Sequence, residues 1–318
     1  MDCTTKRLQL IFGDLTLGVK GEGFHAIFNY LIGGMESLKT GGREWVYRAP
    51  KPTFWRALTD NDRGSCFHFK SGCWLTADMF LKNVGMKVAV DGAEIPTPIA
   101  PENNKYTGEE TAETVSITFD YETQTVPAAK VSVTYTVTAD NKIAVSGKFF
   151  GTEGLPQLPV FGLRWIMPTM ADGFTYEGLS GETYPDRMAG GVPGVYEVKG
   201  LPVTPYMVPQ DCGMHMDTRW VRIDRSTQLT NVKNDKPSSL KIAMAQGKPF
   251  AFSCLPYTAE ELENATHHEE LPPARRTVLC VNGAVRGVGG IDSWGSDVES
   301  AYHLPADKDY TFDFVIEL

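Results

Sequence analysis

Histidine and cysteine are scarce in this chain of 318 residues, six of each, and neither falls into a spacing that holds a metal or builds a redox motif. The cysteines stand at 3, 66, 73, 212, 254 and 280 with no CxxC pair, so they read as separate thiols. The histidines at 25, 68, 215, 267, 268 and 303 form no HExxH motif, and the adjacent His267 and His268 would diverge from a helix. No uninterrupted apolar run approaches the roughly 20 residues that a membrane-spanning helix needs. The first residues, Met1-Asp2-Cys3-Thr4-Thr5-Lys6-Arg7, have no apolar core of the signal-peptide kind, which makes a cytoplasmic location the expectation. Blocks of basic charge are missing too. The 30 Lys and Arg are scattered among 39 Asp and Glu, for a net charge of -9, and that disfavours a nucleic-acid partner. No serine has a G-x-S-x-G setting, and the glycines at 287, 289 and 290 lack the βαβ unit of a dinucleotide fold.

What the chain has is alternation. Val115–Phe119, 129–138 and 143–149 place apolar residues at every second position, with Thr, Ser and Lys between. Their connections are short turns such as Asp140-Asn141-Lys142, with no room for a crossover helix. The same reading gives strands at 8–20, 24–31, 218–223, 240–245, 250–255, 276–281 and 310–318. The expected fold is therefore all-β, an antiparallel sandwich with two short helices. One helix is placed over Trp74–Asn83 and the other begins at Thr258, which can cap it, and stops before Pro272-Pro273. The stretch 47–64, with Pro50 and Pro52, reads as loop, and the Pro- and Gly-rich region beyond Leu155 as functional loops on short strands. The chain is expected to form one unit, 1–318, with division into two sandwich halves near residue 155 as the alternative.

The candidate chemistry lies where acids meet aromatics and glycines. Between two strand-like runs, 287–295 holds four glycines in nine residues and then sets Trp294 beside Asp292 and Ser293. A ring on such a loop either fills the core or forms a platform. A sugar offers a C–H face for stacking and hydroxyls for hydrogen bonding, so a platform here points to carbohydrate. Asp60-Asn61-Asp62 reads as a self-capped turn or a ligand contact, and Glu182, Tyr184, Asp186 and Arg187 as a braced loop. Glycosidases need two carboxyl groups at a set separation, and no pair of acids in the sequence announces itself as one. A free carbohydrate-binding module and a sugar epimerase using His215 are alternative readings.

Phe54-Trp55-Arg56-Ala57 with Thr59–Gly64, Gly181–Arg187, Thr204-Pro205-Tyr206 through Gly213, Tyr257–His267 and Gly287–Gly295 resemble, in this order, motifs of the C-terminal domain of glycoside hydrolase family 2 β-galactosidases. The chain is most similar to the separately encoded small subunits of the heteromeric enzymes. Asp211, Leu58 and Cys212 stand where the pattern commonly has Glu, Pro and Asn. The resemblance implies a large antiparallel supersandwich of the galactose mutarotase-like type. It implies retaining hydrolysis of terminal β-galactosides such as lactose by an assembly in which a large subunit carries both catalytic glutamates and the magnesium, with sodium as a further candidate. No catalytic residue, metal or cofactor is then expected in this chain. Trp294 would stack on the galactoside, supported by Asp292, Ser293, Gly289 and Gly290, and further oligomerisation is compatible with the family.

Overall fold

The computed structural model describes residues 7–100, 107, 109–229, 237–293 and 295–318; Trp294 and Cys3 lie outside the described residues. Within them the strands form three antiparallel sheets of ten, six and five strands. In the ten-stranded sheet the order runs Pro193–Lys199, Gly173–Leu179, Trp220–Arg225, Ser238–Met244, Tyr310–Glu317, Lys142–Phe150, Lys130–Thr138, Thr114–Glu122, Lys82–Val90 and Ala93–Ile95. Tyr310–Glu317 pairs with Lys142–Phe150 on one side and Ser238–Met244 on the other, so strands from before and after residue 155 share this sheet.

Alternation in sequence becomes two-sidedness in space. Val131, Val133, Tyr135 and Val137 are buried, while the residues between them line the other face. There Ser116 and Thr118 on the neighbouring strand meet Thr136 and Thr134, hydroxyl to hydroxyl, at 2.9 and 2.7 Å. The five-stranded sheet, His215–Thr218, Phe250–Leu255, Thr277–Val285, Val160–Met167 and Arg48–Thr53, packs on the ten-stranded one through Phe161 against Phe312 at 5.3 Å and Phe252 against Phe174 at 5.6 Å. The six-stranded sheet is built from Leu8–Phe12, Thr16–Gly21, Phe24–Asn29, Gly34–Thr40, Arg43–Glu44 and Thr111–Ala112. It reaches the ten-stranded sheet at Phe28 and Tyr135, 5.4 Å apart. One hydrophobic core runs from Leu8 to Ile316 between these layers. This is the large antiparallel sandwich that the alternation implied.

Three expectations are corrected. The helix placed over Trp74–Asn83 is not formed: Gly72–Trp74 is a single 3-10 turn, Thr76 takes a left-handed φ of 67°, and a strand begins at Lys82. Trp74 is buried with its indole N–H donating to the Pro156 carbonyl at 3.0 Å, whereas Met79 and Phe80 face outward, so the apolar residues share no helical stripe. Short helices lie just upstream instead, at Asp60–Gly64 and Phe67–Ser71. Second, Arg48–Thr53 is a strand despite Pro50 and Pro52. It is the outer strand of its sheet, and prolines two apart lack their N–H on the same side, so the open edge can carry both. Third, the region after Leu155 holds the full strands Val160–Met167, Gly173–Leu179 and Pro193–Lys199. The helix expected from Thr258 is present at Ala259–Asn264. The Thr258 hydroxyl accepts from Glu261 N at 3.2 Å and the Glu261 carboxylate accepts from Thr258 N at 2.8 Å, with Leu262 buried.

Candidate functional site

The strand Thr277–Val285 ends at Val285, and the chain then leaves the sheet through Arg286 into the glycine-rich stretch. Two segments remote in sequence converge on that stretch. From the helix Asp60–Gly64, Asn61 Nδ2 donates to the Gly289 carbonyl at 3.0 Å. From the 182–187 segment, the Arg187 guanidinium donates to the same carbonyl, and the Asp186 carboxylate accepts from Val288 N at 3.1 Å and Gly289 N at 2.9 Å. The loop also closes on itself: Gly290 N donates to Ser296 O at 3.1 Å, and the hydroxyls of Ser293 and Ser296 are 2.7 Å apart.

Glycine is required at this clasp. Gly289 and Gly290 have φ of 68° and 74°, a region L side chains rarely adopt. A Cβ on Gly289 would stand 2.7 Å from the backbone of Ser296 and Val298, and one on Gly290 2.6 Å from the Asn61 side chain.

Beneath the clasp lies a buried charged network. Thr59 caps the helix Asp60–Gly64, its hydroxyl accepting from Asp62 N at 3.2 Å, and the Asp62 carboxylate accepts from Thr59 N at 2.9 Å. The same carboxylate takes a two-pronged contact from Arg56 at 2.6 and 3.3 Å, and Arg286 stands 3.6 Å away. Arg286 also pairs with Asp297, so the residues at either end of the loop are joined. Burial opposes the charge on Asp62, but Arg56 and the Thr59 hydrogen bonds outweigh it and hold the carboxyl below its ordinary range. Asp211 behaves oppositely: burial raises it despite Arg56, and it accepts from the Tyr184 hydroxyl at 2.7 Å and from Gly213 N at 3.1 Å. The Arg56 guanidinium sits over the Tyr184 ring, 5.3 Å from its centre.

The sequence-derived residues thus divide. Asn61, Asp62, Asp186, Arg187, Gly289 and Gly290 come together, with Tyr184 one layer below. Asp60 turns away to Gln210, which donates to its carboxylate at 3.2 Å. Glu182 faces His215, with 3.7 Å between Oε1 and Nε2. Burial lowers His215 to about 4 and raises Glu182, so a neutral imidazole stands beside this carboxyl rather than an ion pair. Asp292 is exposed and held below its usual range by hydrogen bonds from Ser296 and the local backbone. Sequence reasoning did not single out Arg56, Arg286 or Asp297 as members of this network. The one available signal was that Arg286 interrupts an apolar strand end directly before the first loop glycine.

Chemically, the arrangement holds a loop. The acids beside it are spent as acceptors: Asp62 and Asp297 on guanidinium groups, Asp186 on two backbone amides. Among the described residues no group of three or more His, Cys, Asp or Glu is placed to hold a metal, and no helix is long and apolar enough to cross a membrane.

The chain belongs to the β-galactosidase small chain family, whose sequence pattern matches residues 20–316. It is 62% identical to the β-galactosidase small subunit of Latilactobacillus sakei, over 98% of this chain and 98% of that one. It is 34% identical to β-galactosidase BgaC of Bifidobacterium adolescentis over 96% of this chain, and 34% identical to a β-galactosidase of Lactobacillus delbrueckii subsp. bulgaricus over 98% of it. The chain spans only 27% and 28% of those two longer proteins. Among solved structures, a putative aldose 1-epimerase of Escherichia coli K12 is similar with a TM-score of 0.41 at 12% identity, covering 98% of each chain. That likeness is too loose to carry any argument.

Proposed function

We propose that this chain is the small subunit of a heteromeric β-galactosidase, which hydrolyses terminal non-reducing β-D-galactose residues, as in lactose, once assembled with a catalytic large subunit. One observation carries the reading: the chain matches a small subunit end to end, yet spans about a quarter of the longer β-galactosidases. The remaining length of those proteins corresponds to a partner that this chain needs. On that partner we place the two catalytic glutamates of a retaining mechanism, one protonating the leaving oxygen and one attacking the sugar, together with magnesium and sodium as its candidate ions. We further propose that the chain folds as one unit over 1–318.

Within the assembly Trp294 lies against the galactoside and orients it, with Asp292, Ser293, Gly289 and Gly290 shaping its loop. An indole stacks and donates one hydrogen bond but cannot shuttle the catalytic proton, so its contribution is binding and the choice between hydrolysis and transfer. The clasp from Asn61, Asp186 and Arg187 supports this reading because it fixes a loop that otherwise has little reason to be held by three side chains from two remote segments. Lactose hydrolysis by the purified large subunit, with and without this chain, is the test. Full activity should require both, and this chain alone cleaving lactose at the rate of the mixture would refute the assignment. Size measurement of the reconstituted material also reports whether the heterodimer assembles further.

A further inference from the structure

Between the helix Ala259–Asn264 and the five-stranded sheet lies a narrow cavity of about 30 Å³. Leu255, Leu262 and Val278 give it apolar wall, yet Arg56 and Asn282 line it as well. Both are buried, with 2% and 1% of their surface exposed. Each keeps one polar atom shielded from solvent and without a hydrogen-bond partner among the described residues: Nε of Arg56 and Oδ1 of Asn282. The other nitrogens of these side chains are engaged. Those at the end of Arg56 go to Asp62 and to the Ala57 carbonyl, and Asn282 Nδ2 meets Met214 Sδ at 3.4 Å. One donor and one acceptor are thus left over, on two residues that wall the same small space.

The strand pairing fixes the amide there. The register between Val160–Met167 and Thr277–Val285 shifts at Gly162, which lies opposite Asn282, and a Cβ on Gly162 would stand 2.2 Å from Asn282 Oδ1. Glycine at 162 leaves the room that this side chain occupies. A buried donor or acceptor without a partner carries its full desolvation cost, so two of them beside one cavity call for a ligand that satisfies both.

Size and polarity together choose that ligand. A cavity needs roughly 10–15 Å³ to hold one water, so a volume of about 30 Å³ admits one or two and excludes a sugar or a phosphate. The occupant has to accept from Arg56 Nε and donate to Asn282 Oδ1. A metal cation cannot accept and a halide cannot donate, whereas water does both. Hydroxyls of Thr53 and Ser253 in the same lining supply the further polar neighbours that a buried water takes.

We propose that this cavity is a site for ordered water, with roughly one or two molecules bridging Arg56 Nε to Asn282 Oδ1. The bridge joins the arginine that locks Asp62 to the strand Thr277–Val285, which runs directly into Arg286 and the glycine-rich loop. It is a further link between the clasp helix and the base of the loop.

A crystal structure of the full chain at atomic resolution tests the site directly. Density of oxygen weight is expected within hydrogen-bond distance of both Arg56 Nε and Asn282 Oδ1. Two variants test whether the amide oxygen holds it: Asn282→Asp keeps the acceptor and should keep the water, while the similarly sized but apolar Asn282→Leu should lose it. Oxygen-17 relaxation dispersion, which counts waters that exchange slowly with bulk, should register roughly one or two fewer in Asn282→Leu than in the wild type or Asn282→Asp. If Asn282→Leu does not fold, the wild-type density and Asn282→Asp still decide. No density between the two atoms, a direct hydrogen bond from Nε to Oδ1, a species heavier than oxygen, or an unchanged count of slow waters in folded Asn282→Leu would each overturn the proposal.

Discussion

Asp186→Ala is the sharpest probe of the clasp. The Asp186 carboxylate has no exposed surface and accepts from two backbone amides, Val288 N at 3.1 Å and Gly289 N at 2.9 Å. A hydrogen bond to a charged group contributes about 1.5–3 kcal/mol, which bounds the loss for two of them at roughly 3–6 kcal/mol. Water entering the space left by the carboxylate recovers part of this, so about 2–3 kcal/mol is the working figure. The loss falls on the loop: Val288 and Val298 are buried, but neither belongs to the hydrophobic core shared by the three sheets. The thermal midpoint of the isolated chain should therefore move little, while the clasped loop becomes some 30- to 150-fold less populated relative to alternatives. In the reconstituted enzyme, lactose affinity should drop and transfer products rise, as in Trp294→Ala, and adding Asp186→Ala to Trp294→Ala should cost almost nothing more. If Asp186→Ala leaves KM and product ratio untouched while Trp294→Ala alters both, or if the two effects simply add, the clasp does not organise the loop.

Trp294→Ala itself should weaken productive galactoside binding by about 1–3 kcal/mol, read as a raised KM and a shifted ratio of transfer to hydrolysis in the assembled enzyme. Gly290→Ala forces a left-handed side chain 2.6 Å from Asn61; its cost of about 1–2 kcal/mol should resemble Asp186→Ala in kinetics and leave the urea midpoint close to wild type. Asp62→Ala leaves the buried Arg56 without its carboxylate and should destabilise the fold by about 3–5 kcal/mol, seen as a large drop in the denaturation midpoint. His215 is lowered from 6.5 to about 4, so its contribution to stability is present above pH 6.5 and is lost as pH falls toward 4, by on the order of 3 kcal/mol. Glu182, raised by burial, works in the opposite sense as it protonates and offsets part of this. Thermal midpoints from pH 4 to 7 should therefore fall less steeply for His215→Gln than for wild type, and parallel curves would refute the assignment.

Strands were legible wherever one face meets core and the other water, as in Lys130–Thr138, because burial on a pleated ribbon writes itself as period two. The Thr258 helix was legible because its cap is local chemistry. Reading failed where the deciding partner is distant in sequence. Trp74 is set by a carbonyl at Pro156, and nothing in residues 74–83 contains that information. Pro50 and Pro52 argued for loop until the strand proved to lie at a sheet edge. At the site, the glycines and acids were visible as types, but Asp62 as the anchor of two arginines was not. A self-capped turn and a buried ion-pair hub share the same residues, and only the depth to which the fold carries them separates the two.

The loop's dependence on remote residues follows from how it is mounted. Its entry is fixed by Val285 at the end of a sheet strand, and its two ends are tied by Arg286 and Asp297. Its middle is held at the Gly289 carbonyl by Asn61 and Arg187 and at the neighbouring amides by Asp186. Asn61 belongs to the same short helix as Asp62, whose carboxylate is locked by Arg56 and approached by Arg286. The helix and the loop base are therefore oriented by one buried carboxylate, and a disturbance there reaches the loop from both sides at once. Loss of Asp62 should consequently impair partner-dependent lactose hydrolysis even in preparations held under conditions where the fold survives, whereas a core truncation of equal cost far from this hub, such as Val133→Ala, should not.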